Sequence, residues 1–461
     1  MRFAGLDLGT TKIAGLLLEA GPPGGGARVR HVVSRDHQAG LPGAHPWEHL
    51  QDPERLLALA REVLGELSAE DGPPDGLCVT GQMHGVLYVD RAGRAASPLW
   101  TWLDRRAGLA HPEGGSYAQV LSARTGCQLH PGYGAATHFY NRDHGLVPES
   151  AAGLCALMDF VSMRLAGARR PATDPTIAAS LGFYDLGRDR LDAAAVREAG
   201  LDDLEWSRVV PAGTRLGATE EGTAVLAPLG DNQASFLGSI RDLERSALLN
   251  VGTGGQINLF SRQVVPLQPP LDARPFPGGG FLLVGASLCA GKAYALLEEL
   301  FAGVLESFGT GRPEAPLFDR MNRLAREAGE EPALEVDTRF QGTRGDPGVT
   351  GRIGNITPGN LTPAALVRGF LRGIAGELHD CYRRMTDAAG VRRITAIVAS
   401  GNAIRRNPAL REEFARRFAL PLLFPRLGEE AALGAALCAA VGLGALPGYP
   451  QAGQMIEYDM E

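Results

Sequence analysis

The chain has 461 residues, of which 44% are hydrophobic and 21% are charged. This length is enough for roughly two or three domains with full cores, and the composition excludes a disordered, fibrous or disulfide-stapled small protein. The 45 basic and 52 acidic side chains give a net charge of -7, so the chain lacks the broad positive field that nucleic-acid binding usually needs. We therefore expect no nucleic-acid partner.

The cysteines and the N-terminus bear on the compartment of the protein. The six cysteines are far apart in sequence and include no CxxC pair, which argues against structural zinc and against a disulfide framework. The N-terminus reaches Asp7 after a short apolar stretch without a small-residue cleavage site, so a cytoplasmic protein with reduced thiols is expected. The uncharged run from Ala431 to Leu446 is weakly hydrophobic, which favours a buried, closely packed helix and no membrane contact.

The first predicted element is a β-hairpin. Apolar runs over Arg2–Leu8 and Ile13–Leu18 flank a polar turn, which predicts two short strands. Asp52 followed by Pro53 predicts the start of a helix that is capped by the aspartate. Strand, glycine-rich connection and helix alternate afterwards, beginning with a predicted strand at Leu77–Thr80, and this alternation indicates an α/β protein.

The pattern of the first hairpin returns in altered form near the middle of the chain. Leu248–Leu259 repeats the order of apolar strand, Gly/Thr turn and second apolar strand. This repeat suggests two halves of related architecture with a boundary near residues 230–247. Farther on, Thr362-Pro363 predicts the cap of a long helix, and Ile394–Ala399 predicts a buried strand.

Two common phosphate-binding motifs are excluded. Gly285–Ala293 mimics a P-loop, but five residues separate its glycines where the motif has four, and alanine replaces the Ser or Thr that would hold magnesium. We predict a packed strand-to-helix turn there. No GxGxxG is present, since the glycines near Gly252 have a different spacing, and a dinucleotide-binding fold loses its main support.

The two hairpin turns are better candidates for a phosphate site. Asp7 and the turn Gly9–Lys12 combine a strand-borne carboxylate with backbone N–H groups, hydroxyl groups and an ammonium group, which can wrap a phosphate chain. Gly252–Gly255 has glycines that let the backbone approach a ligand. Either turn alone could be an ordinary polar hairpin turn, but two such turns in one chain favour a nucleotide.

Asp231 is the candidate general base. It follows the apolar segment Ala224–Leu229, so it should lie at the end of a strand or the start of a helix. A helix cap is the simpler interpretation of this position. The functional alternative is phosphoryl transfer, which needs a carboxylate within hydrogen-bond reach of the attacking hydroxyl.

The residues suited to a polyol lie in two loops. Gln82, Met83 and His84 place an amide, a thioether and an imidazole side by side, and Trp102 and Asp104 could add a stacking wall and a hydroxyl acceptor. A lone histidine is more often structural, and loop aromatics commonly cover the edge of a core. We assign no metal site to the histidines.

Taken in order along nearly the whole chain, these motifs resemble the FGGY family of carbohydrate kinases. The resemblance implies that the two turns bind ATP phosphates, that Asp231 is the catalytic base, and that the Gly81–Gly85 loop contacts the sugar. It also implies an adenosine-side loop at Gly401 and Asn402 and a helix matching Glu429–Ala436. The implied nucleotide-binding residues are Gly9, Thr10, Thr11, Lys12, Gly252, Thr253, Gly254, Gly401 and Asn402.

The same resemblance implies the substrate site, the cofactors and the fold. The implied cofactors are ATP and Mg²⁺, with Asp7 reaching the metal through water, and the partner is a small ketose. The implied fold class is α/β, with two actin-like, ribonuclease-H-like domains around an ATP and sugar cleft. We place these domains at residues 1–235, with the sugar site and the first phosphate turn, and at 236–461, with the nucleotide site. The oligomeric state is open, with a homodimer as one alternative. The implied substrate-binding residues are Gln82, Met83, His84, Asp104 and Asp231.

Within the family the chain is most similar to the sedoheptulokinase subgroup. Xylulokinases share the GQMHG loop but usually carry a WNDxR-like segment, where this chain has Leu103 at the asparagine position. Sedoheptulose is the expected substrate, with another pentulose or polyol kinase, such as a xylulokinase, as the first alternative. A non-kinase actin-like ATPase is the alternative from a different class. The subgroup similarity rests on Gly132–Thr137, Thr173–Thr176, Ala178–Ser180, Phe340–Arg344 and Asp346-Pro347.

Overall fold

The structure is a computed structural model that describes residues 1–21, 27–327, 334–343, 345–346, 348–391 and 393–459. The chain forms two compact units, which we call the first and the second unit. The first comprises Met1–Arg241, Arg274–Gly280 and Glu429–Ile456, and the second comprises Asp242–Ala273, Phe281–Gly428 and a short stretch from Glu457 onward. The predicted boundary after residue 235 lies close to the first junction, but a single cut does not describe the two later segments of the first unit.

The strands, in chain order, are β1 (Arg2–Leu8), β2 (Lys12–Ala20), β3 (Ala27–Asp36), β4 (Gly40–Leu41), β5 (Leu50–Gln51), β6 (Gly76–Gly81), β7 (Leu87–Val89), β8 (Leu99–Trp100), β9 (Gly153–Cys155), β10 (Ala172–Thr173), β11 (Tyr184–Asp185), β12 (Arg190–Leu191), β13 (Glu205–Trp206), β14 (Arg208–Val209), β15 (Arg215–Ala218), β16 (Ala224–Leu226), β17 (Leu229–Gly230), β18 (Ser246–Val251), β19 (Gly255–Ser261), β20 (Leu271–Pro275), β21 (Phe281–Ser287), β22 (Glu335–Asp337), β23 (Arg352–Gly354), β24 (Ala396–Ser400) and β25 (Leu422–Leu423).

The helices, in chain order, are α1 (Pro53–Ser68), α2 (Tyr117–Thr125), α3 (Gly134–Asp143), α4 (Leu157–Leu165), α5 (Pro175–Leu181), α6 (Ala193–Glu198), α7 (Asp231–Ser239), α8 (Gly291–Ser307), α9 (Phe318–Glu327), α10 (Pro363–Ala389), α11 (Asn402–Arg406), α12 (Pro408–Phe418), α13 (Glu430–Gly442) and α14 (Tyr449–Gly453), with a 3₁₀ turn at Arg106–Gly108.

The main sheet of the first unit has the strand order β15-β16-β6-β1-β2-β3, and β17 also pairs with β6. β1 is antiparallel to β2, which confirms the predicted hairpin, and it is parallel to β6. β16 and β17 are also parallel to β6. Because parallel strands end at the same edge of a sheet, Leu8, Gly81 and Gly230 lie in register there, and the residues after them face one region.

Helix α1 covers this sheet as its sequence predicts. The Asp52 carboxylate accepts the backbone N–H groups of Glu54 and Arg55, and Pro53 occupies the first helical position. The buried face of the helix joins the core that also includes apolar residues of β1, β6 and α4. The buried face includes Leu56, Leu57, Ala60, Val63, Leu64 and Leu67.

The main sheet of the second unit has the order β20-β21-β19-β18-β24-β25. β18 is antiparallel to β19 and parallel to β24, so the second predicted hairpin is confirmed. The long helix α10 begins where predicted, with the Thr362 hydroxyl accepting the Ala365 N–H, and it ends at Gly390 in the left-handed conformation. The predicted strand at Ile394–Ala399 is observed at Ala396–Ser400.

Helix α13 belongs to the first unit although it lies near the end of the chain. A Cβ atom at Gly434 would lie 1.8 Å from the Ala234 carbonyl oxygen of α7, and one at Gly5 would lie 1.9 Å from the Ala432 oxygen. Backbone therefore packs directly on backbone, which confirms the prediction of a closely packed helix. Among the described residues, no helix is long and apolar enough to cross a membrane.

Candidate functional site

The first unit brings three predicted site residues to one edge of its sheet. Asp7 is the penultimate residue of β1, Gln82 directly follows β6, and Asp231 directly follows β17 as the first residue of α7. Gly230 is the cap residue of α7, so Asp231 is not the helix cap that the simpler interpretation proposed. The strand register accounts for this grouping, because Leu8 and Gly230 both pair with Gly81.

The two aspartates at this edge hold protons more tightly than usual. Burial raises the pKa of Asp231 from 3.8 to about 6, against the opposing effects of the Arg274 charge and of backbone N–H groups. Burial also raises the pKa of Asp7 to about 7, and the negative charge of Asp231 adds to this shift. The repulsion between the two carboxylates raises the pKa of the one that ionises second, which is Asp7. Near neutral pH Asp231 is therefore available as a proton acceptor.

Lys12 and the start of α13 complete the charged surroundings of Asp7. The Lys12 ammonium lies 2.6 Å from a carboxylate oxygen of Glu429. The charges of Glu429 and Glu430 raise the pKa of Asp7, whereas that of Lys12 lowers it. The predicted phosphate contact of Lys12 stays a prediction, since its ammonium is paired with Glu429 in this structure.

The surroundings of Asp7 fit a divalent cation. Three further carboxylates raise its pKa, so a cation there would relieve the repulsion between them. Mg²⁺ commonly binds through one or two protein carboxylates together with substrate phosphates. Within the described ranges, no group of three or more His, Cys, Asp or Glu side chains could hold a metal ion. The Mg²⁺ contact of Asp7 therefore stays a prediction, in which a ligand supplies the remaining contacts.

The loop after β6 is held from several sides. The Gln82 amide nitrogen donates to Oε1 of Gln51 at 2.8 Å, while its own Oε1 is buried and has no hydrogen-bond partner in the described part of the chain. Met83 packs against the residue before Asp231, because a Cβ atom at Gly230 would lie 2.7 Å from the Met83 sulfur. A buried acceptor of this kind is suited to a ligand hydroxyl.

His84 is fixed in an unusual backbone conformation. Its φ is 74°, in the left-handed region that a residue with a Cβ atom rarely occupies. The ring stacks on Tyr133 with centroids 4.5 Å apart, and Nδ1 lies 3.0 Å from the Ser180 carbonyl oxygen. Because a carbonyl only accepts, Nδ1 carries a proton, and Nε2 is the acceptor nitrogen in the corresponding neutral tautomer.

Asp104 is buried and its carboxylate is engaged within the protein. Oδ1 accepts from Arg106 Nε at 2.7 Å, and Oδ2 accepts from Arg106 Nη2 at 3.0 Å and from the His49 N–H at 3.1 Å. The Arg106 guanidinium also donates to Asn141 and lies 5.1 Å from the centre of the Trp100 ring. Direct contact between Asp104 and a sugar hydroxyl stays a prediction, and the carboxylate holds its loop in place as observed.

Trp102 is 45% exposed, and it connects its loop to the first turn. Its indole N–H donates to Oγ1 of Thr10 in the first turn at 3.1 Å. The backbone of Gly132 packs on it, because a Cβ atom there would lie 2.3 Å from the Trp102 carbonyl oxygen. The subgroup segment Gly132–Thr137 therefore begins beside this tryptophan.

The second unit holds the second predicted turn. The Gly291 and Lys292 N–H groups at the start of α8 donate to the carbonyls of Gly252 and Thr253 at 3.1 and 2.9 Å. The predicted strand-to-helix turn is thus confirmed, and its N–H groups hold the second turn by hydrogen bonds. Gly401 lies against the same region, since a Cβ atom there would lie 2.5 Å from the Val251 oxygen.

The adenosine-side candidates Gly401 and Asn402 therefore lie close to the Gly252–Gly254 turn, with Asn402 as the first residue of α11. The subgroup segment from Phe340 also lies in the second unit, where Phe340 and Phe370 have ring centroids 5.6 Å apart. Arg344 and Pro347 of that segment lie outside the described residues.

Comparison with known families identifies the chain. The N-terminal domain of the family described as "FGGY family of carbohydrate kinases" matches residues 3–242, and its C-terminal domain matches residues 247–443. The chain belongs to the FGGY family of carbohydrate kinases. It is a phosphotransferase with an alcohol group of a small sugar as acceptor, and the family implies ATP as the phosphate donor. The alternative of a non-kinase ATPase was wrong.

Among curated relatives, this FGGY kinase is 29% identical to the sedoheptulokinase of Mus musculus over 94% of this chain and 96% of that protein. It is 28% identical to the sedoheptulokinase of Homo sapiens, again over 94% of this chain and 96% of that protein. The glycerol kinase of Thermus brockianus is also 28% identical, over 96% of this chain and 90% of that protein. Several branches of the family are thus similarly distant.

Solved structures confirm the fold of this FGGY kinase. The crystal structure of a xylulose kinase from Rhodospirillum rubrum matches with a TM-score of 0.84 at 24% identity, covering 100% of this chain and 93% of that one. A gluconate kinase from Lactobacillus acidophilus matches with a TM-score of 0.82 at 20% identity, covering 100% and 92%. At these identities the likeness supports the two-domain α/β fold alone.

The sequence patterns missed one residue that affects the pKa of Asp231. Arg274 is buried on β20 and its charge lowers the pKa of Asp231. It stands in no recognisable motif, and only the three-dimensional structure brings it near the start of α7. No signal in the sequence could have identified it.

Proposed function

We propose that this kinase phosphorylates the terminal hydroxyl of a ketose, with sedoheptulose as its best substrate and sedoheptulose 7-phosphate as the product. The observation that carries the chemistry is Asp231, which stands at the carboxyl end of β17 with a pKa of about 6, at the sheet edge that also holds Asp7 and the Gln82–His84 loop. A carboxylate that ionises just below neutral pH is suited to accept a hydroxyl proton during phosphoryl transfer.

In this mechanism Asp231 accepts the proton of the terminal hydroxyl while that oxygen forms its bond to the γ-phosphorus of ATP. The bond from the γ-phosphorus to the bridging oxygen breaks, and ADP leaves. Asp7 would hold Mg²⁺ through water, and the metal would neutralise charge on the phosphate oxygens. The raised pKa makes Asp231 a stronger base than an ordinary carboxylate, and at about 6 it still leaves the group largely ionised near neutral pH.

Nucleotide binding is assigned to the two turns. Gly9, Thr10 and Thr11 offer backbone N–H groups and hydroxyls, and Lys12 adds a positive charge once it exchanges Glu429 for phosphate. In the second unit, Gly252–Gly254 offers backbone N–H groups, and Gly401 with Asn402 would contact the adenosine side.

Sugar binding is assigned to the loop after β6. The buried Oε1 of Gln82 can accept a sugar hydroxyl, and Nε2 of His84 is the acceptor nitrogen of its ring. Met83 would contact a C–H face of the sugar as well as supporting Gly230. Asp104 would contribute through the loop that it holds, or directly after exchanging a protein partner for a sugar hydroxyl.

Sedoheptulose is favoured by the curated sedoheptulokinases, which align over 94% of this chain, and by the segments Gly132–Thr137 and Thr173–Ser180. The second candidate is another pentulose or polyol kinase, such as a xylulokinase. The GQMHG loop supports that reading, whereas Leu103 departs from the xylulokinase pattern.

The test is kcat/KM for sedoheptulose, D-xylulose, L-ribulose and glycerol under one set of conditions. Hydroxyl-binding groups left unpaired by a shorter sugar cost about 1 to 3 kcal/mol each, which predicts a preference for sedoheptulose of roughly tenfold or more. A clear preference for xylulose or glycerol would reject the proposed sugar and leave the kinase assignment intact.

A further inference from the structure

The short helix α5 connects two parts of the proposed site. Its sequence includes Thr176 and Ser180, which are one helical turn apart and therefore lie on the same face. Both side chains are almost completely buried in the first unit. Each of them contacts a different functional segment, so the helix bridges the base and the sugar loop.

Thr176 holds the residue before the base. Its Oγ1 donates to Oδ1 of Asp174 at 2.5 Å, and the N–H of Gly230 donates to the same Oγ1 at 2.8 Å. Because the single hydroxyl proton is directed at Asp174, the oxygen can only accept from Gly230. The backbone immediately before Asp231 is thereby fixed by a threonine that is itself oriented by a buried carboxylate.

Ser180 holds the sugar loop. Its Oγ accepts the N–H of His84 at 3.2 Å, and its carbonyl oxygen lies 3.0 Å from Nδ1 of the same histidine. The first contact secures the left-handed backbone of His84, and the second determines which ring nitrogen carries the proton. His84 thus presents its acceptor nitrogen in one orientation.

We propose that Thr176 and Ser180 are positioning residues that fix Asp231 and His84 relative to each other through helix α5. This proposal rests on the proposed function, in which Asp231 is the base and His84 binds the sugar. The helix would set the distance between the Asp231 carboxylate and the sugar hydroxyl whose proton it accepts. A misplacement of about 1 Å at a reacting group can lower the rate by about 10²-fold, so a remote hydroxyl can have a large effect.

The first test replaces Thr176 with valine, which keeps the shape of the side chain but removes its hydroxyl. We expect Thr176→Val to lower kcat by about 10 to 100-fold, with KM for sedoheptulose and ATP changed less than threefold. Thr176→Ser restores the hydroxyl and should recover most of the rate. Ser162→Ala is the matched control, because Ser162 is a buried hydroxyl of the same unit with no hydrogen-bond partner in the described ranges.

The second test separates positioning from simple destabilisation by a double-mutant cycle. If Thr176 acts only through Asp231, Thr176→Val should cause no further loss of kcat in an Asp231→Asn background. A loss that multiplies in the double mutant, or one that Thr176→Ser fails to restore, would mean a structural role and overturn the proposal.

Ser180→Ala should act on the sugar side of the same helix. We expect KM for sedoheptulose to rise by about 3 to 10-fold with kcat nearly unchanged, because His84 loses one backbone anchor but keeps the carbonyl partner. Unchanged KM would remove Ser180 from the proposal. Full activity of Asp231→Asn alone would instead refute the proposed base, so the two failures are distinguishable.

Discussion

The two hairpins that open the main sheets have the same topology and different chemistry. In each unit the first strand is antiparallel to the second and parallel to a later strand, β1 to β6 and β18 to β24. The turn sequences align as Asp7-Leu-Gly-Thr-Thr-Lys12 and Asn250-Val-Gly-Thr-Gly-Gly255. A carboxylate and an ammonium in the first turn are therefore replaced by an amide and a glycine in the second.

This difference in side chains gives the two turns different electrostatic surroundings. In the first unit the charges of Asp231, Glu429 and Lys12 act on Asp7 and shift its pKa. In the second unit the turn is neutral and is held by backbone bonds from the start of α8. The repeated fold supplies a glycine-containing turn twice, and only the first carries the ionisable side chains to which we assign proton and metal chemistry.

The largest expected effect follows from replacing the proposed base, Asp231, in the first unit. Asp231→Asn should lower kcat by about 10² to 10⁴-fold, because an amide cannot accept the hydroxyl proton. Sugar and nucleotide affinities should stay within a few-fold of the parent, since the turns are intact. Steady-state kinetics and calorimetric titration of both ligands measure the two effects, and a folded variant with the parental rate would leave Asp231 without a chemical role.

The second prediction converts the first turn to the pattern of the second. Asp7→Asn should lower kcat by about 10²-fold and weaken the dependence of the rate on Mg²⁺, because an amide neutralises no positive charge. Activity measured across a Mg²⁺ series tests this. The reciprocal variant Asn250→Asp retains Asp7, so it should keep the Mg²⁺ dependence of the parent. Equal Mg²⁺ dependence in parent and Asp7→Asn would contradict the difference between the turns.

The same Asp7→Asn variant should also be more stable than the parent at high pH. The pKa of Asp7 rises from 3.8 to about 7 on folding, so the folded protein binds more protons between about pH 4 and 7. The ionisation of Asp7 therefore costs the parent stability as the pH rises through that window, and the asparagine variant lacks this contribution. The Tm advantage of the variant should grow from pH 5 to pH 8, by roughly 2 °C or more, in the absence of ligands.

Much of the fold could be predicted because its signals are local. The two hairpins, the capped starts of α1 and α10, and the buried strand β24 each depend on short patterns of apolar residues, glycine and proline. The packing of α13 in the first unit, although it lies near the end of the chain, could not be predicted in this way. Its position depends on Gly434 and Gly5 meeting backbone carbonyls far away in sequence.

Some residues of the candidate site could likewise be predicted from local sequence patterns, and others could not. Asp7, Gln82 and Asp231 could be grouped from sequence, because each follows or ends a predicted strand and parallel strands end at one edge. Arg274 and Thr176 could not be connected to Asp231, because their contacts arise only from tertiary packing. Thr176 appeared in the sequence only within a subgroup motif, without a role.

The fourth prediction concerns the neutral turn of the second unit. Gly252 is the better position for a test than Gly254, since a Cβ atom at Gly252 has no heavy atom within 4 Å, whereas one at Gly254 would lie 2.9 Å from the Ser287 oxygen. We expect Gly252→Ala to weaken binding of an ATP analogue by roughly tenfold without changing Tm, because the methyl group meets only a ligand. Gly254→Val should weaken binding and also lower Tm. Unchanged affinity in both folded variants would remove this turn from the nucleotide site.

The smallest expected effect is a shift in the pH profile caused by Arg274. The positive charge of this buried arginine lowers the pKa of Asp231, which burial otherwise raises to about 6. Removing the charge in Arg274→Gln should let the pKa rise further, so a higher pH is needed to ionise the base. The acidic limb of kcat/KM against pH should then move to higher pH by about one unit.

Arg274→Lys keeps the charge and should leave the limb near that of the parent. Asp7, Glu429 and Lys12 also face this region, so both variants must be compared at saturating Mg²⁺, where the charge of Asp7 is neutralised equally in each. A limb that stays in place in Arg274→Gln would mean that a group other than Asp231 determines the pH dependence, and the first unit would then lack the tuned base that distinguishes it from the second.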